Sequence, residues 1–256
     1  MFRLVRFEVY KLFRLRSVRL GLLFALLLPF LWALAPGLKE VYGLVLASGW
    51  QVVSLSLLAG MEVLFPFLVV MAASEALGSE VAQGTLKSLL LRPLSRTHLL
   101  LAKLFAVLLY PFVLLGASFL GGVLAGMPYG LGAFYGGTGL GEGGFAGVGL
   151  LSPQAALAEL LKAHLLAGAV LLPLAALALL YGTVFLSTTA SALAAVATLL
   201  LMRLLVAFPA LTPFLLTTYL DLYLRPEAVG LGLPLLLLYT LGFALLAALV
   251  FEQKDL

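Results

Sequence analysis

Cysteine is absent from the 256 residues, and histidine occurs only twice. Disulfides, thiolate catalysis and Cys-ligated zinc or iron–sulfur sites are therefore excluded. Charge is scarce as well, at 10% of residues against 64% hydrophobic. No His-Glu-x-x-His, Gly-x-Ser-x-Gly or Gly-x-Gly-Asp motif occurs, and no Walker A loop, so the chain reads as neither an enzyme nor an ATP binder. Met61, Met71, Met127 and Met202 show no spacing that suggests a copper path and read as gap-fillers. The net charge of +4 is too modest to imply a nucleic-acid partner.

Long apolar runs dominate instead. The mean hydropathy is +1.20, and runs of about 20 apolar residues are membrane spans, because a soluble core cannot bury so many. The expected fold is all-α and polytopic. Residues 1–256 form a single transmembrane domain with six spans, roughly 20–38, 52–73, 99–126, 157–186, 190–208 and 231–251. The first apolar run follows a long charged segment and lacks a small-residue cleavage site, so it does not read as a cleaved leader. Eleven of the fifteen Lys and Arg residues fall at the N-terminus, in 74–103 or at the C-terminus. The positive-inside rule then puts both termini and the 74–98 segment in the cytoplasm, as expected of a multi-pass protein of the cell (inner) membrane. His98 and His164 lie on opposite sides in this topology and cannot share a metal; no metal site is expected.

Within 1–19, Phe2, Val5, Val9, Leu12 and Phe13 share one arc of a helix, with Arg3, Arg6, Lys11 and Arg14 outside it. This predicts an amphipathic elbow helix on the membrane surface, its basic residues toward lipid phosphates, with a bend near Leu15 to Ser17. The glycine-dense 127–152 stretch reads as a pliable external loop, followed by a helix capped by Ser152 with Pro153 at its first position. Residues 187–191, "STTAS", join two spans in a tight hairpin. Four prolines between Pro209 and Pro234 break the stretch before the last span into pieces too short to span, so 209–230 reads as an external broken or re-entrant segment.

Two ionisable residues call for weighing at depth: Glu62, near the middle of the second span, and Arg203, well inside the fifth. Each costs about 2.5–3.5 kcal/mol at depth even on lenient insertion scales, so both should face protein or water. They read either as the polar lining of a translocation path or as an intramembrane pair that locks two helices. A stand-alone channel or secondary transporter, with Glu62 as its ion or proton site, is the alternative function they leave open.

The charged island of the chain is "SEALGSEVAQGTLKSLLLRPLSRTHLLLAK". Ser79, Glu80, Gln83 and Lys87 lie at helical spacing, Pro93 limits the helix, and Ser95 caps the next one. The island reads as a short cytoplasmic helix and turn that offers a docking surface. Glu80, Gly84-Thr85, Leu89-Leu90-Leu91, Arg92-Pro93-Leu94-Ser95-Arg96 and Ala102-Lys103 together resemble the signature of the type-2 ABC transporter permeases. Ala102 departs from a glycine common there. The closing "FEQKDL" is similar to the charged tail of many such proteins. The resemblance implies the transmembrane subunit of an ATP-driven transporter, usually an exporter, paired as a homodimer or a paralogous heterodimer. A separate ABC ATPase would bind ATP and Mg; this chain itself would bind no cofactor. The 74–98 segment would be its coupling helix. Ser79, Glu80, Gln83 and Lys87 are the expected contacts, Gly84 and Thr85 the close approach, and Arg92, Pro93, Ser95 and Arg96 the brace into the third span. Substrate identity is not encoded in this motif.

Overall fold

The computed structural model describes residues 1–35, 37, 45–86, 95–135, 150–225 and 228–254. Among these, eight α-helices account for nearly all regular structure. They are α1 (Phe2–Leu12), α2 (Arg16–Leu34), α3 (Gly49–Ala59), α4 (Phe65–Ala82), α5 (Arg96–Gly126), α6 (Pro153–Phe185), α7 (Thr188–Leu205) and α8 (Val229–Gln253). A π-helical turn, Gly60–Leu64, fuses α3 and α4 into one rod. Six of these units are long and apolar enough to cross a membrane, which makes the chain an all-α polytopic membrane protein. A two-residue strand pair, Phe134–Tyr135 with Leu150–Leu151, is the sole sheet among the described residues.

Length and packing sort the helices. Gly49–Ala82 has 34 residues, about 51 Å at 1.5 Å per residue, against a hydrocarbon core of about 30 Å. If the rod enters the membrane at Gly49, about fourteen residues at its far end stand beyond the opposite face. α6 is the central post, packed against α4, α5, α7 and α8, while α2 and α3 lie along α5. Glycines let α2, α3 and α5 close up: a Cβ on Gly121 would sit 2.2 Å from the Leu26 carbonyl oxygen, and one on Gly49 would sit 2.3 Å from that of Gly126. α7 and α8 form the periphery, with Leu193, Leu200 and Leu204 on one and Leu238, Leu241 and Leu245 on the other exposed. Those faces suit lipid or another chain, not water.

Local sequence signals set the ends. Ser48 and Gln51 form a capping box at α3. Ser152 caps α6 by accepting from Ala155 N–H, with Pro153 at the first position. The chain bends at residues 13–15, slightly earlier than the sequence suggests, because Leu15 already has extended backbone as the residue before α2. Only Leu186 and Ser187 separate α6 from α7, and Leu186 takes a left-handed conformation to make the reversal. The 209–230 stretch contains three short 3-10 turns, Thr212–Phe214, Leu216–Tyr219 and Leu222–Leu224. Leu216, Tyr219, Leu222 and Tyr223 plug these turns into the main core.

α1 is oriented otherwise than its amphipathic pattern suggests. Leu12 is buried, and Val9 and Phe13 pack on the main core, so much of the arc expected to face the membrane is turned onto the bundle. Phe2, Phe7 and Tyr10 are the exposed apolar side chains, and Arg3, Arg6 and Arg14 are exposed among them. The cause is an acid: Glu8, one helical turn from Leu12, is buried and must meet a cation inside.

Candidate functional site

Two charged places emerge, one at the end of the bundle that gathers both termini and one partway along the spans. At the terminal end, α1, α4 and α5 converge on Lys103. Its ammonium lies 2.8 Å from Glu8 Oε2, donates to the Ala76 carbonyl oxygen at 3.1 Å, and donates to Glu80. All three ammonium protons are thereby used. Lys11, on the rim of the cluster, also donates to Glu80. Lys103 and Glu80 are each 1% exposed, and Glu8 is 4% exposed. Two carboxylates and two ammonium groups make the cluster neutral in sum. Glu8 Oε1 has no partner in the protein, and a void of about 10 Å³ lies beside Glu8 and Lys103. That is about the room one water needs.

Further bonds knit this end. Ser17 at the start of α2 donates to the Glu75 carboxylate. The Ser79 hydroxyl turns inward to the Glu75 carbonyl oxygen at 2.6 Å, and Thr85 Oγ1 donates to the Glu80 carbonyl oxygen at 3.2 Å. Arg96 reaches across to α8, donating to the carbonyl oxygens of Glu252 at 3.2 Å and Lys254 at 2.6 Å. Thr97 donates to Glu252 Oε1 at 2.5 Å, and Lys254 Nζ donates to the Val184 carbonyl oxygen at 2.7 Å. Cations thus satisfy the orphan carbonyls at the C-terminal ends of α6 and α8, where the helix dipoles favour them. The tail that the motif reading singled out is part of this seam.

The residues expected to form the docking surface therefore divide. Gln83, Gly84 and Thr85 are exposed in the turn that follows α4, and Ser95 is exposed as the cap of α5. Gly84 has φ +66° and open space around its missing side chain, so the turn itself demands glycine whatever packs on it. Ser79 is half-buried, and Arg96 is committed to the α8 terminus. Glu80 is buried, and its side-chain partners are Lys11 and Lys103. An exposed Glu80 would leave Lys103 short of a counter-charge in a closed site, and this internal demand outweighs any external one. Lys87, Arg92 and Pro93 lie outside the described residues. Sequence reading missed Glu8. Its one signal was an acid at the edge of the apolar arc, 40° from Leu12 on a helical projection.

The second place is a half-open cavity of about 180 Å³ beside the π turn, bounded by α4, α6, α7 and Leu220. Glu62 and Arg203 both line it, in a wall otherwise apolar, with Met61, Phe67, Leu174 and Leu199. The two do not form an ion pair, and among the described residues neither side chain has a hydrogen-bond partner. The expected pair is not made, although one cavity does bring them together. The π turn explains how Glu62 gets there. Pro66 has no N–H to give to the Glu62 carbonyl, which an α-helix would require, and the widened turn accommodates that loss. Gly60 accepts the Phe65 ring: a Cβ there would lie 2.2 Å from a ring carbon. At the nearby end opposite the termini, burial lifts the Tyr223 phenol above its ordinary range, and the charges of Asp221 and then Glu62 add to the shift.

The histidines stay out of both places. His164 Nδ1 lies 2.8 Å from the Leu160 carbonyl oxygen, and its ring meets Phe119 edge-on. His98 pairs with Ser95 at the start of α5. Among the described residues no cluster of three or more His, Asp or Glu could hold a metal ion.

Comparison with individually characterised proteins returns no match. A family model described as "ABC-2 family transporter protein" matches residues 4–191. The match covers α1 through the start of α7, and so includes the whole Glu8–Glu80–Lys103 cluster and Glu62. It agrees with the family resemblance of the island signature between Glu80 and Lys103. The chain belongs to the ABC-2 transporter family and is a multi-pass membrane permease.

Proposed function

We propose that this permease is the membrane half of an ATP-driven exporter, worked by a separate ABC ATPase that binds ATP and Mg. It would lie in the cytoplasmic (inner) membrane with both termini and the 74–98 segment in the cytoplasm, paired with a second copy or a paralogue. Arg3, Arg6 and Arg14 would meet anionic headgroups, while Lys11 belongs to the buried cluster. Outward transport is the direction that the motif resemblance favours. Glu62 and Arg203 would form the polar lining of the path.

One observation carries this reading. The exposed Gln83–Gly84–Thr85 turn is the tip of a rod whose root, Glu80, is fastened to α1 and α5 through Lys11 and Lys103. A push on that tip is delivered to three helices at once, because buried, paired ions in a closed site have few alternative arrangements. Docking is then assigned to Gln83, Gly84 and Thr85, with Lys87, Arg92 and Pro93 following in the chain. Glu80, Ser79 and Arg96 position the tip.

The test is copurification with a co-expressed ABC ATPase, together with ATP hydrolysis by the reconstituted pair. Gln83→Arg and Thr85→Lys should leave the permease in the membrane with unchanged thermal unfolding, yet weaken ATPase binding at least tenfold, about 1.4 kcal/mol. Unchanged binding and hydrolysis in both variants would leave the turn a topology signal. A stand-alone channel or secondary transporter would instead show flux through the purified chain with no ATPase present, abolished by Glu62→Gln.

A further inference from the structure

We propose that the cavity beside the π turn seats the headgroup of a zwitterionic amphiphile. Glu62 takes the cationic group, Arg203 takes the anionic group, and the alkyl tail lies over the apolar wall outside. The inference rests on reading the chain as a permease with this cavity on its path.

The charges come first. A carboxylate and a guanidinium line one small space, and among the described residues neither has an ion-pair partner. A purely cationic ligand would satisfy Glu62 and be repelled by Arg203, and a purely anionic one the reverse. A neutral ligand would strip water from both and return nothing. Only an occupant that carries both signs close together satisfies both walls. The volume comes second. About 180 Å³ is well below the roughly 300–1,000 Å³ that encloses a whole drug-sized ligand. The cavity admits a headgroup, not a molecule. The rim comes third. Val63 and Phe67 beside Glu62, and Leu200 beside Arg203, are exposed large apolar side chains. They form a greasy margin where a chain can lie once its head is inside. α7 supports this reading because its outer face is largely unpacked, which leaves lateral access from the bilayer.

The absence of cysteine supplies the assay. Val196, on the α7 wall of the cavity, is replaced by cysteine as the only thiol of the full chain. Alkylation of that thiol is followed in maltoside micelles with four probes of equal chain length: hexyl phosphocholine, hexyltrimethylammonium, hexyl phosphate and hexyl maltoside. The phosphocholine probe should protect at concentrations at least tenfold below each of the others, as expected when two charge-assisted contacts replace one. Glu62→Gln should bring it level with the phosphate probe, and Arg203→Gln level with the trimethylammonium probe. Equal protection by all four heads overturns the proposal, as does a phosphocholine preference that both variants retain. Protection that grows with protein concentration and needs no probe also overturns it, since a second copy then covers the face. Thermal unfolding checks each variant. Should one fail to fold, the ranking of the four heads on the Val196→Cys protein decides alone. No ATPase enters this assay, so an intact ranking without ATPase coupling would sink the exporter reading and leave the binding site standing.

Discussion

Lys103 and Arg203 are both cations in apolar helices, and they are treated in opposite ways. Lys103 is closed off from solvent with every ammonium proton committed to a partner. Arg203 is exposed in an open cavity, near a carboxylate that it does not reach. The acids follow suit: Glu80 is buried between two lysines, while Glu62 is exposed and has no ion-pair partner among the described residues. A closed cluster of paired charges holds helices in one arrangement. An open, unsaturated one is left for something that arrives from outside. Burial and pairing, not charge itself, separate the fastening from the site.

The contrast breaks hardest at Lys103. Lys103→Met should destabilise the chain by about 3–5 kcal/mol, because Glu8 and Glu80 then lose their buried counter-charge. Thermal unfolding in detergent would show it. The variant that also carries Glu8→Gln and Glu80→Gln should recover much of the loss, since uncharged groups are cheaper to keep dry. Full stability in Lys103→Met alone would mean the cluster fastens nothing. Glu80→Ala, by the same logic, should act through an uncaged Lys103 and lower stability before it touches any docking surface.

Gly60→Ala comes next, at about 1–3 kcal/mol, because the Phe65 ring must move to admit a methyl group. The same unfolding measurement serves, and a substitution-neutral Gly60 would show that the ring is not held against the helix there. Arg96→Ala should cost about 1–2 kcal/mol by leaving the α8 terminal carbonyls without their cation. Protease sensitivity of the last residues should rise with it. The smallest effect belongs to Glu62→Gln, within about 0.5 kcal/mol, as for an exposed residue without partners. A large loss there would place Glu62 in a fastening and erase the contrast.

Six spans, the Ser152–Pro153 helix start and the tight turn between α6 and α7 were legible because each depends on residues adjacent in the chain. The family was legible from the island between Glu80 and Lys103. The cluster itself was not. Glu8 and Lys103 are separated by 95 residues, and no period or motif links them. Reading Glu80 as an exposed contact followed from its helical spacing with Gln83 and Lys87; Gln83 is exposed at the C-cap, but Glu80, one turn further in on the same side of the rod, is where α1 and α5 close over it. The arc of α1 misled for the same reason. Periodicity tells which side chains share a face, but whether lipid or protein meets that face depends on the partner that Glu8 requires. The cavity was half legible: Glu62 and Arg203 stood out as isolated ionisable residues, yet the widened turn that presents Glu62 showed only as a glycine and a proline six residues apart.

That widened turn is, in helical terms, one residue too many. A π turn winds fewer degrees per residue than the roughly 100° of an α-helix, so the extra residue between Gly60 and Leu64 is absorbed on the spot and α4 keeps nearly the phase that an uninterrupted helix would give it against α3. The plain winding from Phe67 to Glu80 has no such slack: losing one residue there would swing Glu80 by about 100° off Lys103 while Trp50 and Val53 kept their places. The π turn is thus the point at which a single rod can take in or give up a residue, and the stretch from the cavity to the ion cluster is fixed in rotation as well as in length. A one-residue deletion between Phe67 and Glu80 should therefore lower thermal stability more than one between Gly60 and Leu64.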